Sequence, residues 1–342
     1  MILCMPHEIV HPTPPVGGGT WLVTGGAGYI GSHVIGALLA DGFDAVVIDD
    51  LSSGRASRVS ASVPLVVGSV LDTALVTKTL QDHEVVGVVH LAARKAVGES
   101  MERPLWYYRE NVGGMMSLLD AMTQAGVTRL VHSSSAAVYG ESELTQVDED
   151  SPTSPISPYG ETKLVCEWMV RDYGLATGCS WYGLRYFNVA GAGSPDLGDT
   201  AVANLIPLVL RAVESGRPAQ IFGADYATAD GTCIRDYVHV ADLAVAHVAA
   251  ARHLIKGPAS EILNIGTGRG ASVREVITAL EHALGEPIPA VVTDRRPGDP
   301  PAYWAVPRRA EEVIGWRATR TLQDIADSAV AAWRYSKLSP GN

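Results

Sequence analysis

The chain has 342 residues, 47% of them hydrophobic and 18% charged, with a formal net charge of −11. This length and composition are typical of a soluble globular enzyme with a sizeable core and two lobes. The acidic balance argues against a broad nucleic-acid-binding surface, and no apolar run approaches the length of a membrane span.

The N-terminal segment and the cysteines bear on the compartment. Residues 1–19 lack the basic start and apolar centre of a signal peptide, and they predict a flexible extension ahead of the first strand. Cys4, Cys166, Cys179 and Cys233 form no Cys-x-x-Cys pair, and the ten histidines show no metal-ligand spacing. Scattered cysteines favour reduced thiols in the cytoplasm over a disulfide framework, and no metal site is predicted.

A glycine-rich turn follows the first predicted strand, residues 21–24. Gly26, Gly28 and Gly31 fit the pattern G-x-G-x-x-G, Gly25 extends it, and helix-forming residues follow. Such glycines allow a tight turn and let backbone N–H groups approach a pyrophosphate at the helix N-terminus. Because the strand before and the helix after are both present, the motif predicts dinucleotide binding rather than only a strand-to-helix turn.

The second predicted strand, residues 45–49, ends in an acid. Asp49 stands about 20 residues after the glycines, where an acid accepts hydrogen bonds from the adenosine ribose hydroxyls. A carboxylate there repels a 2′-phosphate, which favours NAD over NADP. Arg55 and Arg58 follow and would soften this preference. The alternative is that Asp49 only caps the adjoining loop.

Buried strands and amphipathic helices then alternate. Strands are predicted at residues 64–67, 85–91, 129–133 and 180–187, and helices at residues 73–82, 104–125 and 159–176. This alternation predicts an α/β fold with a doubly wound parallel sheet and a site at the carboxyl ends of the strands. Ser135 follows one of these ends. It serves either as a hydrogen-bond partner of a substrate hydroxyl or as a turn serine that satisfies local backbone.

Residues 157–163 place a tyrosine and a lysine on one helix face. Ser157 suits a helix cap and Pro158 the first helical position, so Tyr159 and Lys163 stand one turn apart. Lowering a phenol pKa from about 10 to about 7 takes roughly 4 kcal/mol, which one positive charge at about 4 Å supplies. With Lys163 and an oxidised nicotinamide as that charge, Tyr159 is predicted to be a general base. The alternative is a partly buried tyrosine and a solvated lysine.

The second half of the chain changes character after residue 187. A loop at 191–200 is predicted to open a second lobe. Helices are predicted at 204–214, 242–251, 272–284 and 321–335, and strands at 261–265, which returns to the sheet, and at 290–293. Arg235, in a stretch leading into a helix, and Arg296, in the loop 294–301, are candidates for bidentate contacts with a diphosphate. Taken singly, each is more often a surface arginine.

Several stretches together carry a family resemblance. They are residues 24–33, 95–100, 133–140, 157–160, 184–188, 230–232, 235–237, 298–299 and 301–305. With them the chain resembles the extended short-chain dehydrogenase/reductase superfamily, and within its NAD-dependent epimerase/dehydratase family it is most similar to the UDP-glucose 4-epimerases. The likeness runs from residue 21 to about residue 333.

The resemblance implies site residues. Tyr159 is expected to be the base, Lys163 to orient it and hold the nicotinamide ribose, and Ser135 to share the proton path. Expected along the cofactor NAD are Gly25, Gly26, Gly28, Tyr29, Ile30, Gly31, Asp49, Ser69, Val70, Leu91, Ala92, Ala93, Lys95, Asn111, Ser133, Tyr159, Lys163 and Phe187. Expected at the UDP-sugar are Lys95, Ser135, Tyr159, Asn188, Asn204, Arg235, Arg296, Asp299 and Tyr303.

Four residues bear further on these expected sites. Ser69 stands where the family has an acid that contacts adenine, which puts cofactor affinity there in doubt, and Ala93-Arg94 replaces a small-then-apolar pair. Tyr303 is expected to be a gate that fills the space of a 2-acetamido group. Alternatively, Tyr303 is only a core aromatic residue of the small lobe.

The resemblance further implies organisation and activity. A Rossmann domain is expected over residues 20–190 plus 238–265, and a UDP-sugar lobe over 191–237 plus 266–335. The apolar faces of helices 104–125 and 159–176 are expected to pair two copies as a homodimer. The expected reaction interconverts UDP-galactose and UDP-glucose through a 4-keto sugar with tightly bound NAD+, and no second redox substrate is needed.

Other activities remain open. The chain would alternatively epimerise an N-acetylhexosamine or pentose nucleotide. A sugar-nucleotide dehydratase or decarboxylase is less favoured, because Ala136 and Ala137 follow Ser135 where dehydratases carry an Asp-Glu pair. A non-catalytic NAD-sensing protein on the same fold need not keep Ser135, Tyr159 and Lys163 together.

Overall fold

The computed structural model describes residues 18–141, 144–201, 204–296 and 300–338. Most of the expected N-terminal extension, residues 1–17, lies outside the described residues, and so does Asp299. Within the described part of the chain, no helix is long and apolar enough to cross a membrane.

Fourteen strands lie within these ranges. They are β1 (Thr20–Thr24), β2 (Asp44–Asp49), β3 (Leu65–Val67), β4 (Val85–His90), β5 (Arg129–Ser135), β6 (Gln146–Val147), β7 (Ser180–Tyr186), β8 (Asn188–Ala190), β9 (Ala219–Phe222), β10 (Ile234–His239), β11 (Ser260–Ile265), β12 (Gly270–Ser272), β13 (Ala290–Thr293) and β14 (Ala302–Ala305).

Seven of these strands form one parallel sheet in the order β11-β7-β5-β4-β1-β2-β3. The strands are rich in Val, Ile and Leu because helices cover both faces, as in doubly wound folds. The predicted fold class is therefore confirmed. The strand order reverses between β1 and β4, which is where such sheets bind ligands at their carboxyl ends.

Eleven α-helices lie in the same described residues. They are α1 (Tyr29–Ala40), α2 (Thr73–Asp82), α3 (Val97–Glu102), α4 (Pro104–Tyr107), α5 (Gly114–Ala125), α6 (Pro158–Thr177), α7 (Leu205–Glu214), α8 (Val240–Lys256), α9 (Val273–Leu284), α10 (Arg308–Ile314) and α11 (Leu322–Leu338).

Two apolar cores flank the large sheet. On one face, α1 and α8 pack through residues such as Leu38 and Leu243. On the other face, α2 and α5 pack through residues such as Leu80 and Leu118. The two faces hold the carboxyl edge of the sheet rigid, so side chains that follow the strands there have fixed positions.

A smaller layer lies beyond that edge. Its five-stranded sheet has the order β12-β10-β14-β6, and β8 pairs with β10. The strand β6 belongs to this sheet although it lies between β5 and α6 in the chain. Strands β9 and β13 form a separate parallel pair, and α7, α9 and α11 enclose a third apolar core with residues such as Leu210, Leu280 and Ile325.

Two segments differ from their predictions. The stretch leading into helix 242–251 is the strand β10, and its helix α8 begins earlier, at Val240. The segment 104–125 is not one regular helix, because a π-helical turn at Tyr108–Gly113 separates α4 from α5. Such turns are rare in proteins, and those that occur are often found at functional sites.

Candidate active site

The glycine-rich turn lies between β1 and α1, at the reversal point of the sheet. Gly25 has a φ of 70°, and a Cβ on it would come within 2.8 Å of the Ala92 backbone nitrogen. A Cβ on Gly31 would collide with the Gly25 carbonyl oxygen. The two positions therefore admit only glycine without displacing backbone.

The N-terminus of α1 fits an anionic group. Its N-cap is Gly28, which provides no side-chain hydrogen bond to the first turn. A Cβ on Gly28 would meet only the Gly25 carbonyl oxygen, at 3.1 Å, so the cradle is open on its other sides. Backbone N–H groups and the helix dipole at such an end favour a pyrophosphate.

Asp49, the last residue of β2, is bound to this turn. Its carboxylate accepts from the Ala27 N–H at 3.0 Å and from the Leu51 N–H at 2.8 Å. Burial raises the pKa of Asp49, and the two backbone hydrogen bonds oppose that rise. Each carboxylate oxygen keeps capacity for another bond, so Asp49 caps the loop and still fits a ribose hydroxyl. The residues present thus fit the dinucleotide that the sequence predicts.

The Arg58 side chain is bonded to the second layer. Its Nη2 donates to the Gly198 carbonyl at 2.6 Å, in the loop after β8. That same loop is fastened to α1, because the Tyr29 hydroxyl donates to the Gly191 carbonyl at 2.6 Å. Arg58 therefore ties the loop after β2 to the second layer.

Ser135, Tyr159 and Lys163 meet where β5 ends and α6 begins. Ser157 caps α6 by accepting from the Gly160 N–H at 3.2 Å, and Pro158 is its first residue, as predicted. The Lys163 ammonium is buried and donates to the Ser133 carbonyl at 2.7 Å. This bond fixes the lysine against the strand end that carries Ser135.

Burial shifts the pKa values of both Tyr159 and Lys163 in the protein without its cofactor. Burial raises the pKa of Tyr159 above 10.0, and a hydrogen bond with the Ser135 side chain opposes the rise. Burial lowers the pKa of Lys163 to about 8. The lowering that the sequence predicts also requires the charge of an oxidised nicotinamide, so it stays a prediction for the protein with its cofactor.

A buried ion pair supports the end of β5, and the sequence reasoning missed it. Glu167 accepts from Arg185 at 2.9 and 2.7 Å and from the Ser134 hydroxyl at 2.5 Å. Arg185 also donates to the Tyr139 hydroxyl at 2.9 Å. The available signal was the spacing of Tyr159, Lys163 and Glu167, which repeats every four residues along α6.

The remaining cofactor candidates follow the neighbouring strands. Ser69 and Val70 follow β3, and Leu91, Ala92, Ala93 and Lys95 follow β4. Leu91 and Ala92 donate their N–H groups to the Thr24 hydroxyl, each at 3.2 Å. The Ser69 hydroxyl accepts from the Leu71 N–H at 3.2 Å. All of them border the carboxyl edge of the sheet.

Asn111 lies in the π-helical turn and is buried. Its side chain accepts from the Arg94 N–H at 2.8 Å and donates to the Arg94 carbonyl and the Thr162 hydroxyl, both at 3.0 Å. Both of its N–H hydrogens are thereby used. Asn111 thus fixes the loop after β4 to α6, one residue from Lys163.

A cavity of about 990 Å³ adjoins this edge on the side of the second layer. Among its lining residues are four of the predicted sugar-nucleotide residues, Asn188, Asn204, Arg235 and Arg296. Arg58 lines it as well. Such a volume and several arginines suit a nucleotide diphosphate.

Tyr303 lies between that cavity and the Ser135 segment. It pairs with Arg235 across β10 and β14, and its hydroxyl donates to the Ala136 carbonyl at 3.0 Å. Its ring packs against Phe187 with centroids 5.5 Å apart, and it is 8% exposed. Tyr303 is thus a packed aromatic that touches the backbone beside Ser135.

Comparisons with known proteins agree with this arrangement. The profile of the NAD dependent epimerase/dehydratase family matches residues 21–266. A protein of Azospirillum brasilense named UDP-glucose 4-epimerase is 48% identical over 319 residues, 92% of this chain and 92% of its own.

Two solved structures are similar along nearly the whole chain. One is UDP-glucose-4-epimerase from Stenotrophomonas maltophila with bound NAD and formylated UDP-arabinopyranose, with a TM-score of 0.91, 38% identity and coverage of 94% of this chain and 99% of that one. The other is UDP-glucose 4-epimerase from Brucella ovis in complex with NAD, with a TM-score of 0.89, 41% identity and coverage of 93% and 98%.

Proposed function

Because the chain belongs to the NAD dependent epimerase/dehydratase family, we propose that it interconverts UDP-galactose and UDP-glucose through a 4-keto sugar, with tightly bound NAD+. The observation that carries this proposal is the meeting of Ser135, Tyr159 and Lys163 at the end of β5, on the sheet edge that also carries the glycine turn. The names of its relatives support the same activity, an isomerisation.

The proposed mechanism assigns proton transfer to Tyr159. NAD+, when bound, supplies the hydride acceptor and, once reduced, the donor. The Tyr159 oxygen takes the proton of the sugar 4-hydroxyl, and Ser135 holds that hydroxyl. Since burial raises the pKa of Tyr159, its phenolate requires nearby positive charge, which Lys163 and an oxidised nicotinamide would provide.

The substrate has to turn within the site, because hydride returns to the opposite face of the 4-keto sugar. Arg235 and Arg296 are proposed to hold the diphosphate while the hexose swings about it, with Asn188 and Asn204 at the same cavity. Diphosphate contacts that stay constant during the turn prevent release of the keto sugar. The tyrosine proton then returns to the new 4-hydroxyl.

Cofactor retention is proposed to use the glycine turn, Asp49 and the loop after β4. Asp49 already accepts two backbone N–H groups, and the ribose hydroxyls would add to them. Ser69 is proposed to face the adenine end and Phe187 the nicotinamide end. NAD rather than NADP is expected, because a 2′-phosphate would meet the Asp49 carboxylate.

We also propose a homodimer. Apolar side chains stand exposed on α3–α6 and their junctions, namely Val97, Met101, Leu105, Met116, Trp168 and Leu175. These helices pack against one another, and exposed apolar side chains on neighbouring helices suit a protein interface. Light scattering that gives a monomer mass at micromolar concentration would contradict the dimer.

The proposed domain division remains the one read from the sequence. The seven-stranded sheet, which supports it, draws its strands from residues 20–190 and 260–265. A cytoplasmic location is proposed too, and the buried, reduced thiols of Cys166, Cys179 and Cys233 suit that reducing compartment.

The function is tested by incubating the purified protein with UDP-galactose, without added NAD+, and identifying the product by NMR. UDP-glucose is the expected product. A 4-keto-6-deoxy sugar would indicate a dehydratase, and unchanged substrate with bound NAD would indicate a sensing protein.

A further inference from the structure

Arg94 lies in the loop after β4, and hydrogen bonds hold its main chain in place. Its N–H and carbonyl are both bound by the side chain of Asn111, at 2.8 and 3.0 Å. Asn111 is itself buried and bound to Thr162 of α6. The point from which the Arg94 side chain extends is therefore set by two other elements.

The side chain of Arg94 reaches the loop after β2. Its Nη1 donates to the Ser52 hydroxyl at 2.8 Å, and its Nη2 lies 3.3 Å from a carboxylate oxygen of Asp50. In the sheet, β1 lies between β4 and β2. A link from the loop after β4 to the loop after β2 therefore crosses the carboxyl end of β1, where the glycine turn lies.

Two further contacts hold the guanidinium in this position. Its Nη2 lies 3.5 Å from a carboxylate oxygen of Glu110, and its carbon lies 4.7 Å from the centroid of the Trp106 ring. The side chain is only 22% exposed. A planar cation fixed by two carboxylates, a hydroxyl and an aromatic face is more ordered than a surface arginine.

We propose that Arg94 is a strap across the dinucleotide groove, closed onto Asp50 and Ser52, which slows release of the bound cofactor. This inference rests on the proposed use of NAD. Only the exposed contacts to Asp50 and Ser52 have to break for the strap to open, and such contacts contribute little each. It therefore permits loading of the cofactor, and its effect falls on the rate of release.

Exchange of bound NAD+ against isotope-labelled NAD+ tests the strap without reference to turnover. Holoprotein is mixed with excess labelled NAD+, protein-bound nucleotide is separated at intervals, and the label is measured by mass spectrometry. We expect Arg94→Gln to exchange about tenfold faster than wild type, which corresponds to about 1.4 kcal/mol. Asp50→Asn should also be faster, because the strap loses one of its anchors.

Arg103 offers a matched control. It also stacks on Trp106, at 3.8 Å, and pairs with Glu99, but both contacts lie on α3 and α4, away from β2. Arg103→Gln should therefore exchange at the wild-type rate. Circular dichroism of each variant checks that the fold is kept.

Three outcomes would overturn the proposal. If Arg94→Gln exchanged its bound NAD+ at the wild-type rate, Arg94 would not act as a strap. If Arg103→Gln accelerated NAD+ exchange as much as Arg94→Gln, the effect would be a general one of charge or packing, and the strap would again be refuted. If Arg94→Gln were faster but Asp50→Asn were not, Arg94 would act on the cofactor directly rather than as a closed strap. Absence of bound NAD from wild type would contradict the cofactor assignment instead.

Discussion

At the scale of single residues, the proposed chemistry depends on how Ser135, Tyr159 and Lys163 share one partly buried corner. Lys163 is anchored to the Ser133 carbonyl, and Ser135 is bonded to Tyr159. The identities of these residues were predictable from motif and spacing. The direction of the Tyr159 pKa shift was not, because it depends on burial that only the tertiary structure creates.

Removing the Tyr159 hydroxyl should abolish most catalysis while packing is kept. We expect Tyr159→Phe to lose a factor of about 10² to 10⁴ in kcat, the usual effect of a positioned acid–base group. Bound NAD, measured by absorbance after denaturation, should be unchanged. Turnover within a few-fold of wild type would exclude Tyr159 as the base.

Replacing Lys163 should change how readily Tyr159 loses its hydroxyl proton. Lys163→Met removes the cation that favours the phenolate, so the pH profile of kcat should move to higher pH. Loss of activity with an unmoved profile would mean that Lys163 only holds the cofactor or the strand end.

Tyr303 bears on which sugar is accepted. Its ring is packed against Phe187, so a 2-acetamido group would have to displace it, at a cost of about 1–3 kcal/mol, or roughly 5- to 150-fold. Wild type should therefore act poorly on UDP-N-acetylglucosamine, and Tyr303→Ser should improve it while largely sparing UDP-galactose. Equal use of both sugars by wild type, measured as kcat/KM, would refute the gate.

At the scale of secondary-structure elements, helix α6 and strand β5 are held together by two hydrogen bonds, from Lys163 to the Ser133 carbonyl and from the Ser134 hydroxyl to Glu167. Most strands of the large sheet were predictable, since β2, β3, β4 and β11 are short runs rich in Val, Ile and Leu. Strand β10 was not, because Arg235, Asp236 and His239 interrupt its apolar pattern. It forms through long-range pairing with β8, β12 and β14, which local sequence does not encode.

The ion pair between α6 and β7 should matter for stability as well as position. Glu167→Gln leaves the charge of the buried Arg185 uncompensated, and breaking such a pair costs about 3–5 kcal/mol. Asp82→Asn breaks an exposed pair with Lys78 and should change the free energy of unfolding by less than about 0.5 kcal/mol. Urea denaturation compares the two, and equal small effects would contradict a supporting role for Glu167.

At the scale of the whole molecule, buried histidines make stability depend on pH. Burial lowers the pKa of His90 to about 3 and that of His239 and His247 to about 4. The unfolded chain, with a histidine pKa of about 6.5, binds protons that the folded chain does not. The free energy of unfolding should therefore fall as pH falls from about 6.5 to about 4.

Each such histidine lowers the free energy of unfolding by up to about 1.4 kcal/mol per pH unit in that window. His132 offers a test, because neither of its ring nitrogens has a hydrogen-bond partner among the described residues, and burial lowers its pKa too. His132→Phe should be neutral or stabilising at pH 7 and should flatten the pH dependence. A destabilised variant with the wild-type slope would contradict this account.

In the proposed mechanism, hydride leaves C4 of the sugar and returns to the same carbon within one site. The most direct measurement follows UDP-galactose deuterated at C4 through one turnover, with NMR of the UDP-glucose formed in ordinary water. Deuterium should stay at C4 of the product, because the same hydride is returned to the carbon it left. UDP-glucose that carries ordinary hydrogen at C4 would contradict the return of the same hydride to C4.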